Sequence, residues 1–254
     1  MKVKNILISQ PKPADLERTP YAELIRKFNI KLSFEKFIKV EGISSQEFRQ
    51  SKVSFSNHTA VILTSRHAVD HYFRMAKELR FDIPDSMKYF CISESTAFYL
   101  QKYIQYRKRK IFFGKQHFAD LMDMIKKHGE EEFLVPSSDI HKQSMFELLD
   151  KGNINYSRAI IYRTVAANLS HVDIDSFDCL IFFSPAGIKS LQKNFPDFEQ
   201  GEKLIGAFGH TTAKAVKEAG YVLNIPAPTQ TAPSMTMALS EFLTKQAKDA
   251  RKRK

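Results

Sequence analysis

The sequence predicts an α/β protein made of two similar three-layer domains, each with a parallel sheet. Three observations predict it. Short β-branched apolar runs alternate with helical patterns along the chain, as strands and crossover helices do in parallel sheets. One cycle occurs twice in the same order: strand, Ser, helix; then strand, turn, Thr-Ala, helix; then strand, helix. Within that cycle "CISESTAFYLQKY" at 91–103 is echoed by "AFGHTTAKAVKEAGY" at 207–221, with Thr96 and Thr212 in the same place.

The elements follow in order. "NILIS" reads as a strand, and "ADLERTPYAELIRKF" carries Leu16, Leu24, Ile25 and Phe28 as a helical face after a loop. "KLSFEKFIKV" is extended. "AVILTS" is a strand opening onto "RHAVDHYFRMAKEL", where Ala68, Val69, Tyr72, Met75, Ala76 and Leu79 share one helix face. "YFCIS", the helix after Thr96, "KIFFG" and a helix through "FADLMDMIKK" that stops at Gly129 complete the first cycle. The second runs through the strand "EEFLVPSS", the helix "KQSMFELLDKG" and the extended "RAIIYRTV". "CLIFFSPAGIKSLQKNF" then repeats "VILTSRHAVDHYF", so that Ser184 corresponds to Ser65. "KLIGAFGHTTAKAVKEAG", "YVLNIPAP" and the helix "APSMTMALSEFLTK" close it.

A chain of 254 residues can bury a core as one large domain or two small ones. No segment approaches the ~18 uninterrupted apolar residues of a membrane span, and the opening apolar run is too short for a signal peptide. Cys91 and Cys179 lie in apolar strand-like runs, as buried free thiols do. Two cysteines without an export signal predict a reduced, cytoplasmic compartment. Of the net charge of +11, the tail "KQAKDARKRK" at 245–254 supplies +5, and "RKRK" at 107–110 adds another cluster. Such a tail reads as solvated and disordered rather than as a nucleic-acid grip. The mildly basic remainder suits an anionic small molecule as well as a polyanion.

A Ser or Thr where a strand gives way to a helix is usually an N-cap, accepting a bond from an unpaired backbone N–H. That is the plain reading of Ser65, Thr96, Ser184 and Thr212. Capping and ligand binding nevertheless share a place, because helix N-termini offer free donors and partial positive charge to carboxylates. In open parallel sheets the carboxyl ends of the strands are also where ligands sit. Several such ends together would suit a ligand with many carboxylates.

The pieces "ILISQP", "VILTSRHAV", "FCISESTA", "AIIYRTV", "LIFFSPAGI" and "IGAFGHTTA" resemble, in order and spacing, the uroporphyrinogen-III synthase family over nearly the whole chain. The resemblance implies two α/β domains with the active site in the cleft between them. One domain would combine residues 1–35 with 167–254 and the other would be 38–163, joined by linker strands near 34–40 and 159–165. It implies cyclisation of the polycarboxylate tetrapyrrole hydroxymethylbilane with inversion of its last ring and loss of water. No metal or organic cofactor is implied, and the expected enzyme is a cytoplasmic monomer without membrane or nucleic-acid partners. Tyr162 matches the family's proposed acid. Ser65, Ser93, Thr96, Ser184 and Thr212 match positions expected to bind substrate. Two departures stand out: Gln10 where the family often has Arg, and Ser93 where the first Thr-Ala turn usually has Gly, which limits backbone approach.

His67 and His71, four apart on a helix, have a spacing that can hold zinc, but "HAVDH" lacks the protease Glu and a third ligand. No phosphate-binding Gly-rich loop and no Gly-x-Ser-x-Gly elbow occur. The 21 Phe are explained by core packing. The alternative to the cyclase is a two-lobed ligand-binding or regulatory module without turnover, with its basic tail on nucleic acid.

Overall fold

The computed structural model describes residues 3–140 and 143–252, with side chains described to residue 249. In chain order the elements are β1 (Asn5–Ile8), α1 (Pro20–Phe28), β2 (Lys31–Phe34), β3 (Ile38–Gly42), α2 (Ser45–Arg49), β4 (Ala60–Leu63), α3 (Arg66–Glu78), β5 (Lys88–Cys91) and α4 (Glu94–Tyr99). They continue as β6 (Ile111–Phe113), α5 (Phe118–Lys127), β7 (Phe133–Ser138), α6 (Gln143–Lys151) and β8 (Tyr156–Ala166). The last six are β9 (Cys179–Phe182), α7 (Pro185–Asn194), β10 (Leu204–Phe208), α8 (His210–Glu218), β11 (Ile225–Ala227) and α9 (Met235–Lys252).

The chain divides into two compact units, Met1–Lys39 with Val165–Lys254, and Val40–Thr164. The first holds a five-stranded sheet of order β11-β10-β9-β1-β2, parallel throughout. The second is built on the six-stranded sheet β3-β8-β7-β4-β5-β6. The strands β8, β7, β4, β5 and β6 of that sheet are parallel. The pattern of near-continuous apolar strands has its cause here: β4 and β9 are buried at every residue because helices cover both faces. The core of each unit accordingly lies in two clusters, one on each side of its sheet, with Tyr72 and Phe90 on opposite sides in one unit, Ile6 and Leu7 in the other.

Both sheets contain a point where the strand order reverses. The chain goes from β1 outward to β2, then returns to the other side of β1 with β9, β10 and β11. It goes from β4 outward through β5 and β6, then returns to the other side of β4 with β7 and β8. Loops leave such strands in opposite directions, which opens a crevice at their carboxyl ends. In the second sheet Pro136 widens it. Strand β7 pairs with β4 only at Phe133 and Leu134, whereas its pairing with β8 runs on to Ser138. A proline has no N–H to contribute to a ladder.

Strands β3 and β8 carry the chain between units. Ala167 N donates to Phe37 O at 2.9 Å and Ile43 N to Ile161 O at 3.0 Å, a spacing that makes the two strands antiparallel. Helix α7 fastens one end of this pairing. Buried Ser190 donates from Oγ to Phe37 O, and Asn194 Nδ2 donates to Ala167 O at 2.9 Å while its Oδ1 accepts from Leu169 N at 3.0 Å.

Three features differ from the sequence reading. Helix α1 starts at Pro20, leaving Leu16 in a separate 3-10 turn, because proline at the first helical position has no N–H to bond backwards. Helix α2, capped by Ser44 accepting from Glu47 N at 3.2 Å, falls in a stretch with no element assigned. The basic tail is not irregular: α9 continues to Lys252. Gln, Ala, Lys and Arg are good helix formers, and Gln246 Oε1 accepts from Val3 N at 3.4 Å. Arg253 and Lys254, and Lys142 at the expected start of α6, lie outside the described residues.

Two substitutions on α7 test how strongly this end of the linker is held. Ser190→Ala removes one bond from Phe37 O, which keeps Ala167 N, and should cost about 0.5–1.5 kcal/mol. Asn194→Ala strips both Ala167 O and Leu169 N of a partner and should cost more, about 1–3 kcal/mol. Denaturant midpoints of the two variants rank them; the reverse order, or no change in either, would contradict this account.

Candidate functional site

In the second unit, the loops after β4 and β5 each start a helix with a serine. Ser65 has extended backbone angles, φ −164° and ψ 165°, and its Oγ accepts from Ala68 N at 3.1 Å. Ser93 does the same for α4, accepting from Thr96 N at 3.4 Å, and its hydroxyl lies 3.2 Å from that of Thr96. In the first unit Ser184 caps α7, accepting from Gly187 N at 3.3 Å. Ser65 and Ser184 thus play equivalent parts, as the repeat predicts.

The two threonines do not cap. Thr96 and Thr212 each occupy the third residue of their helix, and both are buried. The caps are Ser93 and Gly209, the latter at φ +89°, where a glycine is favoured. With no side chain at Gly209, the first N–H groups of α8 keep no side-chain acceptor at the cap. Thr96 and Thr212 remain equivalent in position, but each faces inward against its own sheet.

Tyr162 lies on β8, beside the irregularity at Ser137 and Ser138 that lets Ser138 pair with it out of step. Its backbone oxygen accepts from Asp139 N at 3.2 Å. The ring packs into the core of the unit with 8% exposure. Burial raises the phenol above its ordinary pKa, against the opposing influence of a hydrogen bond to the Ser65 side chain. The hydroxyl is therefore protonated throughout the neutral range. One face of the ring stacks on His71, with centroids 5.0 Å apart and planes 17° from parallel.

The structure brings Tyr162 together with Ser65, and Ser93 together with Thr96. Ser184 and Thr212 follow the neighbouring strands β9 and β10 of the other unit. Sequence reasoning missed the part played by His71. Its spacing from His67 raises only a zinc reading against a partly exposed helix face, and no local pattern says which ring it meets. It also missed Ser137 and Ser138 at the reversal point, although "VPSS" ends a strand. Arg158 Nε donates to Ser137 Oγ at 3.3 Å, and its Nη2 reaches Ser138 O at 3.3 Å.

The zinc reading of His67 and His71 meets an obstacle in geometry, since His71 Nδ1 already accepts from Arg74 Nε at 3.1 Å. Among the described residues, His128, Glu130 and Glu131 are the one group close enough to share an ion. The Lys88 ammonium stands among them, paired with Glu131 and 3.7 Å from Glu130, so a cation already fills the place.

Fold and site together define a class: a pair of α/β units on reversing parallel sheets, with hydroxyls and helix amino termini at the strand carboxyl ends. The family model described as uroporphyrinogen-III synthase HemD matches residues 19–237. The chain belongs to this family. Uroporphyrinogen-III synthetase from Helicobacter pylori 26695 is similar in fold, with TM-score 0.56 and 17% identity over 95% of this chain and 99% of that one. The wild-type uroporphyrinogen III synthase of Thermus thermophilus is 13% identical over 97% of this chain and 99% of that one, at TM-score 0.44. No curated protein sequence matches. Among the described residues no helix is long and apolar enough to cross a membrane.

Two measurements check the electrostatics and the caps. His71 is held below its ordinary pKa by burial first, then by Arg74 and His67, against Asp70 and Glu78. His58 is lowered by burial, against its bond to Ser54 O. Both favour the neutral form in the folded chain, so the unfolded chain takes up protons first as pH falls below about 6.5. Stability present above that pH should decline below it, and His71→Gln should flatten part of the decline in pH-dependent denaturation curves. Separately, Ser65→Ala and Ser184→Ala should each cost about 0.5–2 kcal/mol as lost caps. Unchanged melting of both would remove the capping role.

Proposed function

We propose that this chain cyclises hydroxymethylbilane to uroporphyrinogen III, with Tyr162 as the proton donor and the strand-end hydroxyls as substrate contacts. The observation that carries the cyclase reading is the family match across residues 19–237. It also favours turnover over a passive ligand-binding module.

The chemistry asks for little machinery. A hydroxymethyl-substituted pyrrole releases hydroxide readily once that oxygen is protonated, and the remaining task is to fold the chain for attack at the substituted carbon. Orientation supplies most of such a rate increase. The proton given by the Tyr162 hydroxyl leaves as water with the departing oxygen. Attack through the substituted carbon of the last ring leaves a spiro centre with no proton to lose. The ring's old methylene bond therefore breaks, and that methylene re-bonds at the ring's unsubstituted carbon. The proton displaced there returns to the phenolate, and the net change is inversion of the ring and loss of water. Burial keeps the phenol protonated beforehand. It also excludes solvent, which would otherwise compete for the reactive carbon.

Each of the amino ends of α3, α7 and α8 offers backbone N–H groups and partial positive charge suited to a substrate carboxylate. Ser65, Ser93 and Ser184 are the proposed hydroxyl contacts, whereas the buried Thr96 and Thr212 would act through the helix ends they support. Where Gln10 stands in place of a cation, a neutral amide donor would serve.

Tyr162→Phe should slow formation of isomer III while leaving circular dichroism unchanged. Spontaneous closure gives isomer I, so chromatographic separation of the isomers from enzymatically generated hydroxymethylbilane reads the result directly. Wild-type chain that yields only isomer I would refute the cyclase. A fully active Tyr162→Phe would remove the tyrosine from the mechanism and leave the cyclase standing.

A further inference from the structure

Helix α3 ties the catalytic tyrosine of the reading above to the linker strands. Arg74 sits on α3, and its guanidinium makes four bonds. Nη2 donates to Ile43 O at 3.0 Å and to Ile161 O at 2.9 Å, Nη1 pairs with Glu78 at 2.5 Å, and Nε donates to His71 Nδ1 at 3.1 Å. Ile43 follows β3 directly and Ile161 lies on β8, so one planar group spans both strands and fixes the imidazole beside them. The seat is shaped for it. A Cβ at Gly42 would lie 2.7 Å from Arg74 Cζ and 2.8 Å from Nε. This glycine is needed for close approach, not for its backbone angle.

Ile161 precedes Tyr162. Its carbonyl accepts from both Ile43 N and Arg74, while the carbonyl of Tyr162 accepts from Asp139 N. The backbone is thus held on both sides at the residue in question. The ring is held by the stack on His71. A guanidinium is a fixed fork of donors, so its orientation carries over to whatever accepts from it. Without Arg74, His71 would be free to turn about its side-chain bonds and the stack would lose its angle.

We infer that His71 and Arg74 are positioning residues: Arg74, seated over Gly42, locks the imidazole of His71 against the Tyr162 ring and so aims the phenol. The inference rests on the proposed role of Tyr162 only for its effect on turnover; the aiming itself is a property of the ligand-free chain.

Three variants disturb the device from different sides, and a fourth restores only the stacking ring. Arg74→Lys keeps a charge but loses the fork. His71→Ala removes the stack. Gly42→Ala deletes no bond and pushes the guanidinium out of its seat. His71→Phe restores a flat ring without the bond to Arg74. With tyrosine labelled on its ring carbons, the Tyr162 signals, assigned by their loss in Tyr162→Phe, should shift or broaden in Arg74→Lys, His71→Ala and Gly42→Ala. His71→Phe, with a ring to stack but no bond to Arg74, should leave them between His71→Ala and wild type.

In isomer III assays the same three variants should lower kcat by about tenfold, short of the ~100-fold that a 1 Å misplacement can cause, with KM within about twofold. In the Tyr162→Phe background they should have no further effect on kcat, because residues acting through one group are not additive. Unmoved tyrosine signals in folded variants, or kcat losses that add to that of Tyr162→Phe, would overturn the inference. If Tyr162→Phe is fully active, the proton-donor role fails, and the ring signals still decide whether His71 and Arg74 aim the phenol.

Discussion

The antiparallel pairing of β3 with β8 is the constraint on which the rest of the structure depends. The first unit is discontinuous: β1 pairs with β9 across more than a hundred and fifty residues of sequence. Closing so long a loop costs entropy before any contact rewards it, although the cost grows only slowly with length. The pairing of the outgoing and returning strands closes it at one place, with Phe37 and Ala167 bonded and Ile43 and Ile161 bonded. Once those ends are together, β9 enters beside β1 with the register Ile6 to Cys179. The second unit gains as well, since β8 continues along β7 to complete its sheet.

Both ends of this pairing are fastened by the same kind of helix. In each unit the helix after the strand–Ser turn reaches back to the linker: α7 with Ser190 and Asn194, α3 with Arg74. The residues differ in chemistry, hydroxyl and amide in one case, guanidinium in the other. The task is the same, to satisfy carbonyl groups of strands at the margin of a sheet, which would be costly to bury unpaired. The serine that caps such a helix and the polar group that clamps the linker lie on one rigid rod. A side chain on the linker, such as Tyr162, is therefore held relative to a helix amino terminus by contacts that no loop has to provide. For a reaction in which orientation does most of the work, such rigidity is useful.

Much of this was legible in the residues. The alternation of apolar runs and helical faces located the strands and helices, because strands buried on both faces in a parallel sheet read as continuous apolar stretches. The twofold cycle made Ser65 equivalent to Ser184 and Thr96 equivalent to Thr212, and all four hold those places. The capping reading succeeded for the serines and failed for the threonines. A cap is set by which residue first leaves the helical angles, and Ser93 and Gly209 take that place three residues earlier. Helix α2 and the full length of α9 were not legible. The first is short, and the second depends on packing in addition to propensity, with Gln246 bonded to Val3 at the far end of the chain.

The sequence by itself determined the local periods, the turns and the family, since those depend on side-chain types at near spacing. Only the tertiary structure decided which distant groups meet. Nothing in "HAVDHYFR" announces that His71 will stack on a tyrosine more than ninety residues away. Nothing there says that Arg74 will fill the space left by Gly42, or that Pro136 will part β7 from β4 at the reversal of strand order. The reason is that strand order and register are global choices. They follow from which hydrophobic faces can be covered together and how loops can be closed, and a side chain's partners are fixed only when that arrangement is complete.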